Sequence, residues 1–263
     1  MPPRKKQKKE SDSNPTDPIR DRPTNFPDAN LLSRALKQYG HAISLRSKEH
    51  TKTPDELTAL DAWLTNSESG LIRKIACSEP VNKAEMTSLM KWKLSRGKSR
   101  PTLLALVSSN PETLVLQSTT AALQAVRDAK DDLDGALLAL PDACKMRGVG
   151  AATASALLTL QTPHLLPFMS DEAASFFTST LGQIKYTDAF YKKFAAAMVA
   201  EVGRLNADSE SDDAPQLWDS MKLERALFAI SILKKHGQEL ILDSDPDVSS
   251  ASTSGSLKRQ RDS

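Results

Sequence analysis

Leu137-Leu138-Ala139-Leu140-Pro141-Asp142-Ala143-Cys144-Lys145-Met146-Arg147-Gly148-Val149-Gly150-Ala151-Ala152-Thr153-Ala154-Ser155-Ala156-Leu157-Leu158 reads as a helix, a tight turn and a second helix. Gly148 and Gly150 are expected to supply turn conformations closed to residues with a Cβ and to let the backbone approach a ligand closely. Val149 between them is expected to point into the core. Small Ala154 and Ala156 let two short helices pack against each other. The second helix begins at the turn, so its unpaired N–H groups and positive dipole end are turned to a place where a phosphate can sit. Lys145 and Arg147 add charge beside it, and with Gly148, Val149, Gly150, Ala151 and Thr153 they are the nucleic-acid contacts expected of this turn. An ordinary helix, glycine turn and helix without a ligand is the competing reading of Gly-Val-Gly alone.

Outward from this segment the apolar period stays helical. Leu31, Leu32, Ala35, Leu36 and Tyr39 mark one helix, and Leu57, Leu60 and Leu64 follow the start signal Thr53-Pro54-Asp55-Glu56. Further helices are expected over roughly 83–95, 100–107, 111–127, 133–145, 151–160, 171–181, 187–206 and 216–236, with Pro101, Pro111, Pro141, Pro163 and Pro167 at or between their ends. No Asn-Gly type hairpin signal separates alternating strands, so the expectation is an all-α fold. A helical domain over 27–240 is expected, with an exposed acidic loop at 207–215. Residues 1–26 and 241–263 are polar and charged and read as disordered tails, because such segments cannot offset the entropy of folding. Their basic clusters, Arg4 to Lys9 and Lys258 to Arg261, are of the nuclear-import or nucleic-acid-binding kind, or simply solubilising.

The chain has 263 residues and 39% hydrophobic content, enough for a real core, and its formal net charge of +2 hides basic ends and acidic runs. Cys77 and Cys144 stand far apart without a neighbouring His, which speaks against a disulfide framework, a zinc site or a four-Cys cluster and for a reducing compartment. The four histidines show no metal-ligand spacing. Neither a phosphate loop of the nucleotide-hydrolase type, nor a serine elbow, nor a dinucleotide fingerprint is present, so no cofactor is expected. No apolar stretch approaches the ~20 residues that cross a bilayer. Lys91, Lys93, Arg96, Lys98 and Arg100 surround Trp92 within ten residues, a density suited to a stripe along a nucleic-acid backbone. Basic residues also stabilise helix C-termini, and Gly97 looks like such an end.

Three stretches together carry a resemblance. The hairpin, the segment from Met90 to Pro101, and Pro167-Phe168-Met169-Ser170-Asp171-Glu172 resemble the helix-hairpin-helix DNA glycosylase superfamily, and more narrowly the Amun-like nuclear proteins of animals and fungi, over about residues 30–235. The superfamily places a catalytic Asp some twenty residues after the second hairpin glycine, and Asp171 stands 21 residues after Gly150. The resemblance implies a helical glycosylase-like fold, a hairpin that grips DNA phosphates, an extruded base and Asp171 as the carboxylate that stabilises charge at C1′ and orients water. Helix capping by Ser170 or Asp171 accounts for a carboxylate here without chemistry. Glu172 departs from the commoner pattern and is expected to be solvated. Bifunctional members place a Schiff-base lysine two residues beyond the second glycine, where this chain has Ala152, so the resemblance implies a monofunctional enzyme that leaves an abasic site uncut. Among the aromatic residues, Trp92 and Phe168 are the expected base pocket. A monomeric nuclear protein with DNA as its partner follows. The alternatives are a non-catalytic DNA- or chromatin-binding protein that keeps the fold, and a helical protein-interaction scaffold.

Overall fold

The computed structural model describes residues 22–50, 52–208 and 217–238, and every regular element among them is helical. The chain runs through α1 (Ala29–Lys37), α2 (Tyr39–Lys48), α3 (Glu56–Thr65), α4 (Leu71–Ala76), α5 (Lys83–Arg96), α6 (Pro101–Ser108), α7 (Glu112–Ala129), α8 (Leu133–Leu137), α9 (Leu140–Ala143), α10 (Ala151–Leu158), α11 (Asp171–Ser175), α12 (Thr178–Leu181), α13 (Asp188–Asp208) and α14 (Ser220–Lys235). The all-α expectation therefore holds. Two helices were not anticipated, α2 and α4, and the helix expected from Leu31 through Tyr39 stops at Gln38 and restarts. The expected helix over 133–145 is likewise two short pieces, and that over 171–181 divides into α11 and α12. Among the described residues no helix is long and apolar enough to cross a membrane.

Starts are set by side chains that satisfy orphan amides. Asp28 accepts from Leu31 N at 2.7 Å, Asp219 from Lys222 N at 2.7 Å, and Asn82 and Glu85 form a reciprocal capping box that opens α5. At the centre lies α10, whose residues Ala151 to Leu158 are all buried. A helix that is apolar and small all round belongs inside, and α5, α7, α9 and α13 enclose it. Packing of α14 against α1, α2, α11 and α13 closes the other side.

The start of the described chain departs from the tail expected to reach residue 26. Pro23 is buried, the Phe26 ring meets that of Phe177 at 5.3 Å, and Arg22 pairs with Glu201 at 3.3 Å. Residues 1–21 and 239–263, with both basic clusters, lie outside the described residues. So does 209–216, nearly all of the expected acidic loop, while its first two residues extend α13.

Glu49, just past α2, ties that helix to the end of α14. It takes Lys235 Nζ and His236 Nε2 at 2.8 Å each, with Arg46 as a third partner. Burial alone would raise its carboxyl, but the hydrogen bonds from Lys235 and His236, with the charge of Arg46, outweigh it and hold the pKa down at about 2. A folded pKa below the unfolded one makes this clamp fully stabilising above about pH 4.5, and the contribution fades as pH falls towards 2. Glu49→Gln is expected to cost about 1–3 kcal/mol at neutral pH and nothing measurable at pH 2. Urea unfolding of both proteins across that range checks it, and parallel curves would refute it.

Candidate functional site

A cavity of about 310 Å³ opens where the turn before α10, the end of α5 with the segment after it, and the start of α11 meet. Gly148, Val149, Gly150, Ala151, Ala152 and Thr153 line one part, Lys93, Arg96, Lys98 and Arg100 another, and Phe168, Asp171 and Glu172 a third. Three segments separate in sequence, at 93–103, 148–153 and 168–172, thus converge, and most residues singled out from the sequence share this wall.

The turn itself is built by Gly148, Val149 and a residue the sequence reading missed. Gly148 has φ +81°, and a Cβ there would meet Leu106 Cβ at 2.8 Å and the Leu103 carbonyl at 3.0 Å. Gly150 differs from expectation: at φ −118° it is extended backbone open to any residue, and a Cβ on it meets nothing within 4 Å among the described residues. Its conformation does not require glycine. Val149 is buried as anticipated. Asn110, fully buried after α6, clamps the turn with both ends of its amide, donating to the Arg147 carbonyl at 3.0 Å and accepting from Arg147 N at 2.9 Å. Thr153 N and Ala154 N both bond the Gly150 carbonyl, so Ala151 and Ala152 hold the orphan amides of the first turn. Gly148→Ala is expected to destabilise the protein by about 1–3 kcal/mol through φ strain and the Leu106 clash. Gly150→Ala should stay within about 0.5 kcal/mol of the parent. Chemical unfolding of the two variants tests the contrast, and equal losses would show that Gly150 is also conformationally required.

Asp171 is the first residue of α11, but it is not the cap. Ser170 takes that role through Ala173 N at 3.2 Å, which leaves the Asp171 carboxylate to the cavity. There it accepts from the Tyr186 hydroxyl at 2.6 Å and pairs with Lys98 at 3.6 Å. Tyr186, another residue the sequence reading passed over, lies under the Arg100 guanidinium at 5.0 Å. Burial, followed by the bond to Asp171, pushes its phenol up to about 12. Glu172 is not the solvated carboxylate expected of it. It is half-buried on the cavity wall, its Oε2 is buried without a hydrogen bond among the described residues, and burial raises its pKa against the pull of Arg96.

The basic segment does not form a stripe around Trp92. Trp92 and Arg96 stand four residues apart on one face of α5, and that face is the core face. The Trp92 indole donates to Asp61 at 2.8 Å and its ring packs on Phe168 at 5.2 Å, so it backs the pocket without lining it. Of the two aromatic residues expected in a base pocket, Phe168 alone reaches the wall. Arg96 is 1% exposed and gives both terminal nitrogens to Glu224 at 2.7 and 2.8 Å, which removes it as a contact for a nucleic-acid backbone. Burial alone would lower its pKa, yet Glu224 keeps it above the ordinary arginine range. Glu224 in turn accepts from Ser170, so the buried pair supports the cap of α11. Lys98 and Arg100 are exposed at the cavity mouth, whereas Lys91, Lys145 and Arg147 are exposed away from its lining, with Lys145 paired to Asp142. Lys93 is half-buried in the wall, and burial pushes its ammonium below the usual lysine range, opposed by Asp171 and reinforced by Arg100.

The arrangement offers a carboxylate with a phenol and a lysine on it, a second carboxyl whose pKa is raised by burial, two surface cations, and free amides at the turn. The turn amides and the surface cations suit an anionic group, and the Asp171 carboxylate faces the same cavity. Comparisons with protein-family models, with curated proteins and with solved structures found no match to this chain.

Proposed function

We propose that the chain is a DNA-binding, glycosylase-like protein with a helix-hairpin-helix grip, acting by monofunctional N-glycosidic base excision with Asp171 as the catalytic carboxylate. The observation that carries this reading is the convergence on one cavity of the Gly148–Thr153 turn, Asp171, Phe168 and the cations Lys98 and Arg100. A base extruded from a duplex needs a wall to stack on, which Phe168 supplies, and a phosphate grip beside it, which the turn supplies. Positive charge developing on the sugar needs a fixed carboxylate, and Asp171 is fixed by Tyr186. The kinship with the Amun-like proteins and a nuclear location belong to the same proposal.

A second reading, a DNA-binding protein that has given up the chemistry, is favoured by one feature. The Asp171 carboxylate is already engaged by Tyr186 and Lys98, so a water competes with both for its oxygens. The deciding experiment is a single-turnover assay on duplexes bearing damaged, deaminated or mismatched bases, with alkali to reveal abasic sites, beside salt-dependent binding. Release of a base that depends on Asp171 establishes the enzyme. Salt-sensitive binding without release on any duplex establishes the binder, and no binding at low salt refutes both. Gly150→Arg is expected to weaken binding by filling the space beside the turn amides, in a protein that still folds because that space is empty.

A further inference from the structure

A base stacked on Phe168 has its edge read by those polar groups of the wall that are still free to bond. Most of the donors are not. Arg96 gives both terminal nitrogens to Glu224, the Tyr186 hydroxyl goes to Asp171, and Lys98 pairs with Asp171 from the exposed mouth. Arg100 is exposed and lies over the Tyr186 ring. Lys93 is the exception. It reaches the wall from α5, is half-buried, and among the described residues its ammonium has neither a hydrogen-bond nor an ion-pair partner. The charges that act on it are those of Asp171 and Arg100, both on the cavity wall, which puts the ammonium on the cavity side of α5. A cation that has lost part of its water and found no partner is unfavourable until a ligand supplies acceptors.

We propose that Lys93 is the base-reading residue of this cavity and that the base it selects is a 6-oxopurine with an unsubstituted N7, such as hypoxanthine. This names the substrate of the excision proposed above and rests on that reading. An ammonium carries donors only, and O6 and N7 of a 6-oxopurine are two acceptors side by side on one edge, the pair that lysine takes when it reads guanine in a major groove. Adenine keeps N7 but presents its 6-amino group to the ammonium, donor against donor. A hydrogen on N7, as in 8-oxoguanine, or an alkyl group there removes the other acceptor. Uracil and thymine set one carbonyl beside a carbon on the corresponding edge. Cytosine has adjacent acceptors at N3 and O2 but covers less of the Phe168 ring than a bicyclic base, for which the cavity of about 310 Å³ has room. Guanine shares the selected edge, yet extrusion costs least for a base in a mismatch, and hypoxanthine opposite thymine is one.

The test measures binding of the full chain, by fluorescence anisotropy at low salt, to four duplexes that differ in one nucleotide: hypoxanthine, 7-deazahypoxanthine, adenine or cytosine. That nucleotide stands opposite an abasic-site analogue, so that extrusion breaks no base pair, and carries a 2′-fluoro sugar, so that no base is lost during the measurement. The hypoxanthine duplex is expected to bind roughly 5–150-fold more tightly than the adenine duplex, the range for one bidentate contact, with 7-deazahypoxanthine between them. In Lys93→Met the difference between hypoxanthine and adenine disappears. The 7-deaza comparison leaves the protein unchanged and so separates loss of a hydrogen bond from loss of fold. Equal affinities in the parent, tighter binding of the cytosine duplex, or a hypoxanthine preference that survives Lys93→Met overturns the assignment and leaves the DNA reading standing. Failure to bind any of the four removes the DNA reading and the base assignment together.

Discussion

Arg96→Ala lowers the unfolding free energy by about 3–5 kcal/mol, the range for breaking a buried ion pair by removing one partner. In a domain of this size that corresponds to a fall in Tm of roughly 6–20 °C. The magnitude follows from what the guanidinium touches. Besides its two bonds to Glu224, it lies 3.9 Å from the centre of the Phe228 ring and 5.3 Å from those of Trp92 and Phe168. Among the described residues its Nε has no hydrogen-bond partner. Alanine leaves a cavity among these rings and, more costly, strands the Glu224 carboxylate, which is 3% exposed. The control is the double variant Arg96→Met with Glu224→Leu. Removing both charges and refilling the space should recover most of the loss, because a buried pair and its apolar isostere differ little in net stability. A double variant as unstable as Arg96→Ala would show that packing, not the stranded charge, carries the cost. The same variant addresses the site, since Ser170 would lose its bond to Glu224 and α11 one anchor of its cap.

Arg96 also shows what local sequence carries and what it does not. The run from Lys91 to Arg100 reads as a basic stripe by composition, yet Trp92 and Arg96 stand one helical turn apart, and an aromatic residue on the buried face takes its neighbour inside with it. That signal was legible and was outweighed by the charge count. The helices were legible because caps such as Asn82 with Glu85 and breakers such as Pro101 act within a few residues. α10 was legible by its run of small and apolar residues. Asn110 was not, because its bonds to Arg147 span 37 positions and nothing in Ser109-Asn110-Pro111 distinguishes a clamp from a turn residue. Tyr186 was hidden in the same way, 15 residues beyond the carboxylate it holds. Glu172 was misjudged because adjacent helical residues usually diverge, whereas α11 is so short and so enclosed that both carboxyls reach the cavity wall.

Asp171→Asn separates chemistry from grip. Under the proposed excision mechanism, loss of the negative charge removes both the partner of the developing sugar cation and the acceptor for a proton from water. The single-turnover rate of base release is expected to fall by ~10²–10⁴-fold. Structure should be preserved, because an amide oxygen can still accept from Tyr186 and the helix cap belongs to Ser170. Binding moves in the opposite direction from catalysis. One negative charge leaves a wall that holds Lys98 and Arg100, so duplex affinity at low salt should be equal to the parent's or slightly higher. A rate and an affinity that fall together would mean that Asp171 holds the site in shape rather than acting on the sugar. A rate that survives in Asp171→Asn but is lost in Glu172→Gln would transfer the catalytic role to the neighbouring carboxyl, whose pKa is raised by burial. Activity retained in both variants would remove the α11 carboxylates from the chemistry.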